Sequence, residues 1–122
     1  MTSVISENLP AYLARQFPEA LAVIERIRSA EPDTPALNAY TYIGEVVWAG
    51  SFEPAIESDD EPTIRHCLRV TEDLLASDDQ NIRTAARIRV IEHLTGWKAQ
   101  HLVVKHGGLN LRRDLLRATG HN

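Results

Sequence analysis

Six residues, Ile64, Cys67, Leu68, Thr71, Leu74 and Leu75, recur at spacings of three and four, which places them all on one side of an α-helix. Arg65, Arg69, Glu72 and Asp73 fall outside the stripe, so this helix has a core face and a solvated face. Pro62 is expected at its start. A chain patterned in this way must bury one side of each helix against other helices.

The same spacing recurs on both sides of that segment. Ile5, Leu9, Tyr12, Leu13 and Phe17 share one helical face. Pro18, favoured in a first turn, opens a second helix that runs through Leu21, Ile24 and Ile27 to Ala30. Glu31–Pro35 reads as the clearest loop. Leu37, Tyr40, Ile43, Val47 and Trp48 form a third helix from Ala36 to Ala49, with Gly50 where a left-handed C-terminal residue would sit. Ser51–Glu61 reads as a short turn of helix followed by an acidic loop.

Ser77, Asp78 and Asp79 can cap a fifth helix that carries Ile82, Ala85, Ala86, Ile88, Val90, Ile91 and Leu94. Its apolar surface exceeds a single stripe, which marks it as the centre of the bundle. Gly96 allows a break before a helix over Trp97–Val104. His106, Gly107 and Gly108 then interrupt the chain, Asn110 is positioned to cap a last helix from Leu111 to Thr119, and Gly120–Asn122 reads as a frayed end.

Ile64-Arg65 with Leu68-Arg69 echoes Ile82-Arg83 with Ala86-Arg87 eighteen residues on, as stacked antiparallel helices would. The expectation is an all-α fold, a compact orthogonal bundle of about five to seven helices, with a HEAT-like helix stack as the alternative.

At 122 residues, 43% hydrophobic and 25% charged, the chain suits one self-sufficient domain spanning 1–122. The single cysteine, Cys67, permits no intrachain disulfide. No window approaches the ~18 apolar residues of a membrane span, and the N-terminus lacks a basic region followed by an apolar run. A cytoplasmic location without membrane association follows as an expectation.

Catalytic and metal chemistry find little support. No two of His66, His93, His101, His106 and His121 lie at i and i+3 or i+4, the spacings at which a helix presents two ligands together. Ser51 lacks the glycine that a nucleophile elbow requires two residues later. Cys67 lies inside a helix on its apolar stripe, away from the cations that make a thiolate. No glycine set matches a phosphate or dinucleotide loop. No catalytic residue, metal or cofactor is therefore assigned. An enzyme reading would need a cleft gathering His93, Glu92 or His101.

Charge is distributed unevenly. Residues 1–61 hold three Arg against eleven Asp and Glu, and residues 62–122 hold ten Lys and Arg against six Asp and Glu. If the two halves stay apart in the fold, one surface attracts basic partners and the other acidic ones; if the helices interleave them, the asymmetry vanishes. Arg83, Arg87, Arg112 and Arg113 could form a basic surface for nucleic acid, although the total charge of −4 opposes it. Glu53, Glu57, Asp59, Asp60 and Glu61, with Trp48 as core edge or interface anchor, form the candidate surface for a basic protein partner. The acidic runs also precede helices, where capping explains them.

Trp48-Ala49-Gly50, and the segment from Asp78-Asp79-x-x-Ile82-Arg83 to Ile91-Glu92-x-Leu94, belong to a small, acidic, helical chain that resembles bacterial immunity-type proteins. The resemblance implies a module that neutralises a toxin by covering its basic active surface. The alternatives are a homo-oligomeric regulatory or structural protein, in which acidic and basic halves meet across subunits, and a nucleic-acid-binding regulator.

Overall fold

A computed structural model describes residues 3–5, 7–30, 35–94 and 97–118. It is an all-α bundle. In chain order its helices are α1 (Leu9–Gln16), a 3₁₀ turn (Pro18–Ala20), α2 (Leu21–Ser29), α3 (Pro35–Tyr42), a π-helix (Ile43–Phe52), α4 (Glu53–Glu57), α5 (Glu61–Leu75), α6 (Gln80–Arg89), a 3₁₀ turn (Ile91–His93), α7 (Trp97–His106) and α8 (Leu109–Ala118). Among the described residues there is no strand, and no helix is long and apolar enough to cross a membrane.

The stripe on α5 is buried as its spacing predicts, from Ile64 to Leu75. Thr71 joins it without an unsatisfied hydroxyl, because its Oγ1 donates to the Cys67 carbonyl one turn back at 2.8 Å. Opposite, α6 buries Ile82, Ala85 and Ala86. These residues pack it against α3, α5, the π-helix and the second 3₁₀ turn, the central position its breadth of apolar surface implied. A single apolar cluster runs from Val4 to Leu115.

Several element boundaries differ from the expectations. The first helix begins at Leu9, not near Ile5, since the Asn8 side chain accepts from the Ile5 amide at 2.9 Å and donates to the Ser3 carbonyl at 3.2 Å. The fifth helix of the sequence ends at Arg89. Val90 breaks it, so Ile91 and Leu94 reach the core from a 3₁₀ turn. Gly50 ends no helix: the third helix passes into ten residues of π-helix and continues directly into α4. At Gly50 a Cβ would lie 2.8 Å from the Glu45 carbonyl oxygen, a close approach that only glycine permits.

Asn110 does not cap the last helix. Its start lies at Leu109, and both carboxylate oxygens of Glu72 on α5 accept from the α8 N-terminus, Oε2 from the Asn110 amide and Oε1 from the Leu111 amide, each at 3.1 Å. Of the expected loop at 31–35, residues 31–34 lie outside the described residues, and Pro35 begins α3. The Gly96 break and the 120–122 tail also lie outside them, as do the side chain of Trp97 and His121.

Candidate functional site

The acidic run of the sequence becomes a corner between α4 and α5. The turn that builds it is a Schellman motif: the Asp60 amide donates to the Ala55 carbonyl at 2.9 Å and the Asp59 amide to the Ile56 carbonyl at 3.3 Å. Asp59 holds the left-handed position with φ of 55°, which a short polar side chain tolerates better than most. Asp60 then caps α5, its Oδ1 accepting from the Thr63 amide at 3.3 Å and its Oδ2 from the Thr63 hydroxyl at 2.7 Å. The three residues between α4 and α5 thus turn the chain, and the amide of each is held by a backbone hydrogen bond.

Glu53, Glu57, Asp59, Asp60 and Glu61 are all exposed on this corner. Asp60 is committed to its cap. Glu61 Oε1 stands 3.3 Å from Nε2 of His106, so the corner lies against the last turn of α7. Glu53 and Glu57 share α4 and make its outward rows acidic.

Trp48 lies one turn before α4, half-buried at the edge of the core. Its ring stacks on the exposed His93 ring with centroids 4.9 Å apart and an interplanar angle of 14°, and tilts against Phe52 at 5.4 Å. One turn earlier, the Arg89 guanidinium lies over Tyr40, 4.4 Å from the ring centroid, and against the bare backbone of Gly44. Tyr40 of α3 and Trp48 of the π-helix thus form an aromatic edge against Arg89 at the end of α6 and His93 in the second 3₁₀ turn.

The four candidate basic residues do not form one stripe. Arg83 donates to the Ser77 carbonyl at 2.7 Å, tying the loop before α6. Arg112 donates to the Val104 carbonyl at 2.9 Å, satisfying an acceptor at the end of α7. Arg87 and Arg113 do come together, at 3.5 and 3.6 Å from Asp114, and Arg117 joins them at 3.6 Å. Sequence reasoning passed over Asp114. The available signal was its place on the apolar side of the last helix, one residue after Arg113 and three before Arg117.

A groove of about 600 Å³ is lined by Ser3, Val4, Tyr12, Arg15, Gln16, Asp73, Ala76 and Asp78. The Tyr12 hydroxyl donates to Asp73 Oδ2 at 3.0 Å within it. Burial, then the Asp73 charge, push that phenol above its ordinary range. His93, Glu92 and His101 do not line this groove. His93 and His101 are exposed, and among the described residues no three His, Cys, Asp or Glu side chains gather as metal ligands.

No curated protein and no solved structure matches the chain. A family described as a domain of unknown function, DUF7674, matches residues 10–116, from the first turn of α1 to the last turn of α8, and the chain belongs to that family.

Proposed function

We propose that this protein is a protein-binding module whose α4–α5 corner recognises a basic surface on another protein, with toxin neutralisation of the immunity type as its most concrete form. The observation that carries the reading is the hydrogen-bonded corner presenting Glu53, Glu57, Asp59, Asp60 and Glu61 at the surface. A preorganised acidic patch steers a basic partner and loses little entropy on binding it. Trp48, one turn away, supplies an aromatic edge of the kind that anchors interfaces. Arg83 and Arg112, bound to carbonyl groups of their own chain, support this reading over the nucleic-acid alternative.

The test compares the wild-type protein with a Glu53→Lys/Glu57→Lys variant as baits in a lysate of the native cells, at low and at high salt. Both positions are exposed and neither caps a helix, so the fold should be retained. The expected result is one stoichiometric basic protein, held by the wild type at low salt, released at high salt and lost by the variant. Equal retention by both baits sinks the proposal.

A further inference from the structure

Asp114 is 3% exposed, and neither of its carboxylate oxygens has a hydrogen-bond partner. Three guanidinium groups surround it: Arg87 of α6 at 3.5 Å from Oδ2, and Arg113 and Arg117 of α8 at 3.6 Å from Oδ1. A buried carboxylate needs a counter-charge, and one arginine supplies it. The other two leave the cluster with two surplus positive charges.

Three like charges this close repel one another, and the buried carboxylate is the group that gathers them. The N–O separations exceed hydrogen-bond length, so the arginines are held by charge and their donors are not spent on Asp114. The Arg87, Arg113 and Arg117 side chains are 40%, 46% and 69% exposed, and Arg87 Nε is buried against the carboxylate without a hydrogen-bond partner. Guanidinium forks match the oxygens of a phosphate group two at a time.

We propose that Arg87, Arg113 and Arg117, gathered on Asp114, form a binding site for a dianionic oxyanion of the phosphate-monoester class. The surplus of two charges matches a monoester dianion better than a phosphodiester, which carries one charge per phosphate. The site is built by α6 and α8 and is independent of the acidic corner. Its ligand supplies an acceptor to Arg87 Nε, which has none among the described residues.

The experiment follows the arginine Nε–Hε signals by NMR while inorganic phosphate replaces chloride at constant ionic strength, with a melting curve at each end point. The expected result is a saturable shift confined to Arg87, Arg113 and Arg117, with half-saturation on the order of millimolar. Phosphate should also raise the melting temperature. Arg117→Gln, the most exposed of the three, should keep the fold and weaken phosphate roughly tenfold.

Two further arms use a phosphoserine peptide and its unphosphorylated twin. Tighter binding of the phosphopeptide than of phosphate identifies a protein-borne phosphate, and equal binding identifies a small phosphorylated molecule. The proposal is overturned if no shift saturates at tens of millimolar phosphate, or if Arg117→Gln binds as the wild type does. Tighter binding of an oligonucleotide with internal diesters only would overturn it as well.

Discussion

Cys67 shows how far position decides the chemistry of a side chain. Burial, reinforced by the charges of Glu19 and Asp60, pushes its thiol from 9.0 up to about 12. It should resist thiol reagents at pH 8 and react only as fast as the fold opens, so labelling kinetics that match a free thiol would contradict its packing. Because the native form holds its proton more tightly than the unfolded chain, this contribution to stability is whole below pH 9 and is lost as pH rises towards about 12. Denaturant titrations across that window should show stability falling, with a shallower fall in Cys67→Ala. Tyr12 acts with the same sign. Replacing it with Phe frees Asp73 and should cost about 1 kcal/mol at neutral pH, as chemical denaturation would record. His66 is equally constrained: Nε2 lies 2.8 Å from the Gln16 carbonyl and Nδ1 2.9 Å from the Arg69 guanidinium, an acceptor and a donor that suit the tautomer with its hydrogen on Nε2.

At the level of elements, α8 is started by a side chain from another helix. Glu72 brings its charge and two acceptors to the positive end of α8, while Gly108 leaves the space that the carboxylate occupies. Gly108→Ala should displace the carboxylate and cost roughly 1–2 kcal/mol. In a Glu72→Ala background the same change should cost little, and a double-mutant cycle in which the two losses simply add would refute the coupling. This contact also explains a limit of the sequence. Asn110 is a good local cap, but Glu72 lies 38 residues away and its role follows only from the packing of α5 on α8. Periodicity marked the stripe on α5 because burial alone sets that pattern. It misplaced Gly50, since glycine after an apolar stripe marks a helix end as readily as a close backbone approach.

Across the whole molecule, the two halves that look separately charged in the sequence are interleaved at defined points. Glu61 of the first half meets His106 of the second, Tyr12 of the first donates to Asp73 of the second, and Arg89 of the second lies over the ring of Tyr40 of the first. The arginine run of the second half converges on Asp114 of the same half. The residues of the acidic corner were legible as a cluster because five neighbours in a chain remain neighbours in the fold. The arginine cluster was not, because Arg87 and Asp114 meet only once α6 and α8 pack.

The corner is aimed by what precedes it. A π-helix takes more residues per turn than an α-helix, so ten residues of it set a rotational phase for everything downstream. Deleting one residue between Ile43 and Phe52 would shift that phase and turn α4 against an α5 that is docked on its apolar stripe. In this fold, then, a single-codon deletion is the smallest genetic step that could redirect the acidic face while leaving its composition intact.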